Sequence, residues 1–389
     1  MVQSAVLLES HLADYKPYFE WRDTSQSPPP TGSNKRRRQI PAPIRIEYPG
    51  RRQSEEFLLV VPKIHHKPNS EKADDYNPVH DILATISTIV KFLVPESEAD
   101  RFGDEFTGLL RALTRASNRQ LGDELVNSIK EFNSELRRVK SLPEFHAHMA
   151  ALRSNGLPPG LVSHILHQTY SRTVAPLAET LTDYEAFSNH VYGEVNAVLV
   201  TDFIQKTRLR ADQVFVDMGC GIGNVVIQVA AQVGCTSFGM EIMPRPSRLA
   251  VQQAREFQSR MRSYGLPHGP LTLHQGDFLD TQTNPAVTHH LQRADVVLVN
   301  NYAFSSTLNQ SLLQLFLDLR DGTQIISLKS FLPRDFKINA RTAGSPESIL
   351  RVRQYPYFTD AVSWTSNGGQ YYIHTVDRSR LQAFYAKQV

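Results

Sequence analysis

The hydrophobic rhythm of the chain changes along its length. Residues 1–70 hold no sustained period: only Ile44 to Tyr48 and Phe57 to Val61 read as short strands, and Ser25 to Gly32 is rich in proline and serine. From Pro78 to about Ser171 apolar residues recur at helical spacing. Val79, Ile82, Leu83, Ile86, Ile89, Val90 and Leu93 form one stripe, and Phe102 to Leu113, Leu121 to Leu136 and Leu161 to Tyr170 form weaker ones. Beyond that the pattern alternates. Strands are predicted at Val214 to Val216, Thr236 to Met240, Leu271 to His274, Ala294 to Val299, Thr323 to Leu328, Leu350 to Tyr355 and Tyr371 to Thr375. Helices are predicted at Asn196 to Ile204, Val225 to Val233, Arg245 to Tyr264 and Leu308 to Leu319. Such alternation with short links predicts an α/β fold with a mostly parallel sheet covered on both faces, preceded by a mainly helical region. The expected organisation is a partly disordered basic arm over 1–70, a helical region over 71–190 and a ligand-binding α/β domain over 191–389.

The candidate chemistry starts where the first of these strands ends. Phe215, Val216, Asp217 and Met218 run into Gly219, Cys220, Gly221, Ile222, Gly223 and Asn224, which is a strand, a glycine turn and a helix start. Glycines there let the backbone take positive φ and let a ligand lie on the main chain. The dinucleotide fingerprint is G-x-G-x-x-G; here the third glycine comes one residue early and Asn224 stands in its place. Asp217 ahead of the turn repels phosphate but suits the ammonium and sulfonium end of S-adenosylmethionine. A second acid, Glu241, closes the next strand at the distance expected of a ribose-binding side chain. Asp277 and Asn300 sit at the ends of later strands, where ligands gather in this topology, and Phe278 is placed to lie against an adenine ring. A plain βα turn is the alternative for the glycine loop by itself.

Composition narrows the setting. The 389 residues carry a net charge of +3, too small to require a polyanionic partner. Its distribution says more: Lys35, Arg36, Arg37, Arg38, Arg45, Arg51, Arg52, Lys63 and Lys67 outweigh Glu47, Glu55 and Glu56 in the first part of the chain. That run reads as a nuclear address, a nucleic-acid patch or a solvated linker. No stretch approaches a membrane span and Met1 to Ser10 lacks the pattern of a signal peptide, so a cytosolic or nuclear location is expected. Cys220 and Cys235 are the only cysteines, which excludes a disulfide framework or a cysteine zinc site. His146, His148, His164 and His167 form no metal-ligand pattern, and no metal is expected.

For the methyl acceptor, Asn300-Asn301-Tyr302-Ala303-Phe304 keeps the asparagine and aromatics of amide methylases but not their prolines, and no glutamate pair for an arginine appears. What remains is an aromatic surround of Phe187, Tyr302, Phe304, Trp364, Tyr371 and Tyr372, suited to an alkyl amine unless these rings are ordinary core. A lysine of unperturbed pKa about 10.4 loses its proton more readily in such an apolar channel. The segment DYEAFSNHVYGE, Asp183 to Glu194, reads as a loop over the cofactor or an aromatic plug.

DYEAFSNHVYGE, FVDMGCGIGN, FGMEI, GDFL, VNNYAF, IISLKSF and VSWTSNGGQYYIHTVDR occur in this order, and over about residues 160–380 the chain resembles the disruptor-of-telomeric-silencing methyltransferases. These are the non-SET enzymes that methylate a lysine in the globular core of histone H3. The resemblance implies a class I S-adenosylmethionine-dependent methyltransferase fold. It implies cofactor contacts at Tyr192, Gly193, Glu194 and Val195, along Phe215 to Asn224, and at Glu241, Asp277 and Phe278. It also implies an acceptor channel of Phe187, Asn300, Ser327, Trp364 and Tyr371, with Asn300 beside the transferred methyl. Val195, Cys220 and Asn224 depart from the threonine, serine and glutamine common in the family. The implied setting is the nucleus, with intact nucleosomes as substrate, stimulation by ubiquitylated histone H2B, and sequence-indifferent DNA contacts assigned to Lys35 through Arg38, Arg51 and Arg52. The competing expectations are a methyltransferase for another protein lysine or a small molecule, and a chromatin-binding module without activity.

Overall fold

A computed structural model describes residues 1–19, 42–63, 76–181, 194–282 and 284–387, which fall into two compact units. The first holds Met1–Asn155 together with Ser259–Leu266. It contains helix α1 (Ser4–Glu9), strands β1 (Tyr15–Pro17), β2 (Ile44–Glu47), β3 (Ser54–Phe57) and β4 (Val60–Pro62), and helices α2 (Pro78–Leu93), α3 (Glu96–Ala99), α4 (Gly108–Asn118), α5 (Gly122–Val139) and α6 (Pro143–Asn155). The stripe predicted over Val79 to Leu93 is the buried face of α2, which Asn77 caps by accepting from the Val79 and His80 N–H groups.

Strand β3 escapes a hydrophobic-pattern reading because it is SEEF, with Glu55 facing inward. Glu55 pairs with Arg260 at 3.1 Å, both side chains being 0% exposed, and accepts from the Tyr48 hydroxyl at 2.8 Å. A buried charge is tolerated only when paired and hydrogen-bonded in this way. Residues 42–63 thus form ordered strands, while Lys35 to Arg38 and Lys67 lie outside the described residues.

The second unit holds Gly156–Gln258 and Pro267–Val389. Helices α7 (Pro159–Thr173) and α8 (Ala197–Thr207) precede strand β5 (Val214–Met218). Then follow α9 (Asn224–Gln232), β6 (Thr236–Glu241), α10 (Pro244–Tyr264), β7 (Leu271–Gln275), α11 (Pro285–Arg293), β8 (Val296–Val299), α12 (Ser306–Leu315), β9 (Gln324–Ser327), β10 (Leu350–Tyr357), β11 (Gly369–Val376) and α13 (Ser379–Ala386). The seven-stranded sheet has the order β10-β11-β9-β8-β5-β6-β7. Neighbours from β9 through β7 are parallel; β11 runs antiparallel to β9 and to β10. The expected mostly parallel α/β sheet is present.

Strands β5 and β8 are buried along their whole length, which is why they read as continuous apolar runs. Val214, Val216 and Met218 enter a core with Leu312 and Phe316, whereas Phe215 enters the opposite one with Leu199 and Phe203.

The boundary near 190 expected from the sequence differs from this division, which falls after Asn155. Val174 and Leu181, following α7, pack with Ile222 of the glycine turn and Leu249 of α10, so that helix belongs with the sheet. The end of α10, in turn, groups with the first unit.

Candidate active site

The strand ends dictate where a ligand fits. At the carboxyl end of β5 the chain turns through Gly219, Gly221 and Gly223, all at positive φ. The third is required by its φ of 82°; a Cβ there would also come within 2.8 Å of Leu273 Cδ1 on β7, a side-chain end that would have to shift. On β6, Gly239 leaves room for Cys220, whose Cβ and Sγ would each lie 2.9 Å from an added methyl. The carbonyl of Met240 accepts from the Gly219 and Cys220 N–H groups, both at 2.9 Å, which folds the turn onto the neighbouring strand.

Glu241 then anchors it. Its Oε2 accepts from Gly221 N–H at 2.9 Å and its Oε1 from Met243 N–H at 2.8 Å, so the carboxylate stands at a fixed place in the wall. Asp217, 3% exposed, is pushed up to about 8, first by burial and then by the charge of Glu241. A carboxyl held so close to neutrality gains most from a cation placed beside it. Burial, with Asp217 and Glu241 nearby, also pushes the Cys220 thiol up, leaving a protonated packing residue and no nucleophile.

A cavity of about 220 Å³ opens above this turn. Glu194, Val195, Asp217, Gly219, Cys220, Gly221, Ile222, Asn224, Glu241, Asp277, Phe278 and Asn300 line it. Asp277 is fixed by accepting from Leu279 N–H at 2.8 Å, and Phe278 is buried with its ring 6.4 Å from that of Phe304. Phe215, Val216 and Met218 lie in the core on either side of β5, and Gly223 is the cap of α9; none of them reaches the cavity wall. Phe187, Tyr192 and Gly193 lie outside the described residues.

Of the implied acceptor channel, Asn300 alone among the described residues lines the cavity, and of the predicted aromatic surround Phe304 does. Trp364 packs 5.2 Å from Tyr302, whose other neighbour is the Lys329 ammonium at 5.3 Å. Ser327 is buried at the end of β9 and donates to the Lys329 carbonyl at 2.8 Å. Tyr371 is fully buried against Phe203 and donates its hydroxyl to Asp202 at 2.6 Å; burial and that carboxylate push its ionisation upward.

Several wall residues escape a sequence reading: Ile242, Met243, Pro246, Leu279, Leu298 and Leu308. They are apolar side chains with no motif of their own. Asn301 is overshadowed in the sequence by its neighbour, yet it is 1% exposed and holds the ends of β8 and β9 together. Its Oδ1 accepts from Leu328 and Lys329 N–H, and its Nδ2 donates to Asn309 Oδ1 and the Lys329 carbonyl. The doubled asparagine after a buried strand is the available signal.

The donor set tests the ligand. Four acidic side chains, Glu194, Asp217, Glu241 and Asp277, and no lysine, arginine or histidine stand among the described wall residues. These acids repel a phosphate and suit a ligand with a cationic end, hydroxyls and a flat apolar ring, as S-adenosylmethionine has. No group of histidine, cysteine and acidic side chains able to hold a metal occurs among the described residues.

Comparison with known proteins agrees with this geometry. The family model described as "Histone methylation protein DOT1" matches residues 170–376. The chain is 41% identical over 344 residues to a protein of Aspergillus fumigatus named "Histone-lysine N-methyltransferase, H3 lysine-79 specific", covering 88% of this chain and 66% of the relative. A relative of the same name from Emericella nidulans is 40% identical over 341 residues, with the same coverage. The chain thus spans just under two thirds of these relatives. Matching solved structures include an RNA methyltransferase from Salinibacter ruber in complex with S-adenosyl-L-homocysteine, 18% identical with a TM-score of 0.30, over 47% of this chain and 94% of that one. The acidic cavity sits above the glycine turn of the seven-stranded sheet, and the family match spans more than half of the 389 residues: this chain belongs to the DOT1 histone methylation family.

Proposed function

We propose that the chain is an S-adenosylmethionine-dependent histone-lysine N-methyltransferase acting on the histone H3 lysine for which its relatives are named. The observation that carries this reading is the cavity wall of four acids and, among the described residues, no base above the glycine turn. S-adenosylmethionine bound there supplies an electrophilic methyl group. Asp217 and Glu194 face its cationic end, Glu241 takes the ribose hydroxyls, and Asp277 with Phe278 receives the adenine. Tyr192, Gly193 and Val195 belong to the same wall in this reading.

The acceptor enters beside Asn300, the residue that orients the amine; Phe187 and Trp364 are the further acceptor residues of this reading, and Tyr371 and Ser327 support them from the buried core. The acceptor ammonium leaves its proton with solvent before the amine enters apolar surroundings, because burial disfavours the charged form. Trp364 and the apolar wall of Leu298, Phe304 and Leu308 keep water away from the reacting amine. Alignment and water exclusion then account for most of the rate.

The proposed substrate is the intact nucleosome, with ubiquitylated histone H2B as a stimulating partner and the nucleus as location. Among the described residues no helix is long and apolar enough to cross a membrane. Arg51 and Arg52, with Lys35 through Arg38, supply the DNA contacts. The deciding experiment is transfer of labelled methyl to intact nucleosomes, with free histones in parallel and the modified lysine mapped. Labelling of the nucleosomal H3 lysine supports the reading. Labelling only of small molecules or of another protein, or nucleosome binding without transfer, overturns it.

A further inference from the structure

Gln253 lies on α10, outside every motif singled out above, yet it is 2% exposed and bonds to Ile222 and Asn224, two residues of the cavity wall. Its Nε2 donates at 2.8 Å to the carbonyl of Ile222 in the glycine turn and at 2.8 Å to Oδ1 of Asn224. Asn224 in turn donates from Nδ2 to Oε2 of Glu194 at 2.9 Å. Glu194 is fastened at its other side: its N–H donates to Ser363 Oγ at 2.8 Å and its carbonyl accepts from Ser363 N–H at 2.9 Å.

The polarity of this chain of bonds is forced from one end. A backbone carbonyl only accepts, so Gln253 must present its amino group to Ile222. The same amino group then obliges Asn224 to turn its oxygen toward Gln253 and its own amino group toward Glu194. With the Asn224 amide reversed, oxygen would face carboxylate and nitrogen would face nitrogen. Gln253 therefore converts an acceptor on the turn into a donor aimed at the carboxylate in the cavity wall. Its Oε1 is buried with no hydrogen-bond partner among the described residues, an arrangement that costs free energy and persists here because the other end of the amide makes two bonds.

We propose that Gln253 is a positioning residue for cofactor binding: through Asn224 it orients and holds the Glu194 carboxylate against the cationic end of the ligand. This rests on the cofactor reading above. It also accounts for asparagine at 224: at this length the amide ends on Glu194 and is held from below by Gln253.

The test is titration of the full chain with S-adenosylhomocysteine, with thermal unfolding measured in parallel. Gln253→Met, close in volume but without the amide, is expected to raise Kd about tenfold. Glu194→Ala raises it similarly, and the double variant is expected to be no weaker than Glu194→Ala alone, since one relay is broken once. At saturating cofactor the acceptor KM stays within about twofold of the parent, as expected of a residue acting through Glu194 alone. Should Gln253→Met not fold, Asn224→Asp keeps the bond from Gln253 while turning an oxygen toward Glu194. Its weakened binding is expected to recover as the pH is lowered and the carboxyl pair takes up a proton. Wild-type affinity in Gln253→Met, or penalties that multiply in the double variant, overturns the proposal. Failure of the parent chain to bind S-adenosylhomocysteine overturns the cofactor reading instead.

Discussion

Asp217, in the cavity wall, makes the stability of the chain depend on pH. Its pKa of about 8 in the folded chain lies well above the ordinary carboxylate value near 3.9. The unfolded chain releases this proton near pH 4 and the folded chain holds it to about pH 8. Its contribution to stability is thus complete below pH 4 and is lost as the pH rises toward 8. Asp217→Asn is expected to flatten this part of the pH dependence and to raise the thermal midpoint of the ligand-free protein at pH 8, while weakening cofactor binding about 10- to 100-fold. Cofactor binding at pH 7 should also release a proton, read as a dependence of calorimetric enthalpy on the ionisation heat of the buffer. A binding enthalpy that is the same in phosphate and Tris would show that binding leaves the protonation of Asp217 unchanged. For Asn300 the expectation is opposite in kind: Asn300→Ala loses about 100-fold in transfer rate while cofactor affinity persists, and full activity in that variant would remove it from the site.

Elements hold these residues in place through a few close approaches. At the start of α9, Gly223 takes a left-handed φ of 82° and faces the Leu273 side chain of β7. Gly223→Ala is expected to cost about 1–2 kcal/mol from its left-handed backbone alone, before the contact with Leu273 is relieved. Chemical denaturation measures the loss, and an unchanged midpoint would show that the turn relaxes freely. On the far side of the sheet, His374 of β11 is fully buried, accepting from Phe331 N–H at 3.1 Å with its other ring nitrogen 3.4 Å from the Ile325 carbonyl. Burial pushes its pKa down to about 4. The unfolded chain takes up this proton first on acidification, so the stability His374 contributes is intact above about pH 6.5 and is lost as the pH falls toward 4. A glutamine side chain at this place keeps one acceptor and one donor but does not titrate, so His374→Gln should unfold with a smaller pH dependence between pH 7 and 5 than the parent. An equal dependence in the two proteins would assign it to other groups.

Across the whole chain, the two units are not consecutive pieces of sequence. Residues 259–266 at the end of α10 belong to the first unit, where Arg260 meets Glu55. A chain starting at residue 156 strips residues 259–266 of the unit that buries them and exposes Arg260, Met261 and Tyr264, all 0% exposed in the intact chain. Such a truncation is expected to express poorly or unfold at lower temperature, and a wild-type thermal midpoint would refute this. The same pair bears on how DNA contacts are tested: deleting residues 1–70 also removes Glu55, so lost nucleosome binding would report unfolding. Arg51→Glu with Arg52→Glu changes the charge of exposed side chains and leaves the pair intact. Weaker nucleosome binding at physiological salt, with an unchanged thermal midpoint, is the expected result.

The succession of strands and helices, the glycine turn, and the acids at the strand ends were legible in the residues themselves. Each depends on local rules: a period of two or of 3.6, the φ that only glycine adopts freely, and the place where a parallel strand stops. Asp217, Glu241 and Asp277 could be read for that reason. Glu55 with Arg260, Asn301 across two strand ends, and Gln253 beneath the turn could not, because a polar residue in a helix or strand looks solvent-facing until its partner is known. Those partners stand 205 residues away for Glu55, 27 and 28 for Asn301, and 31 and 29 for Gln253. Periodicity carries which face is apolar; only the packed chain decides which buried donor meets which acceptor.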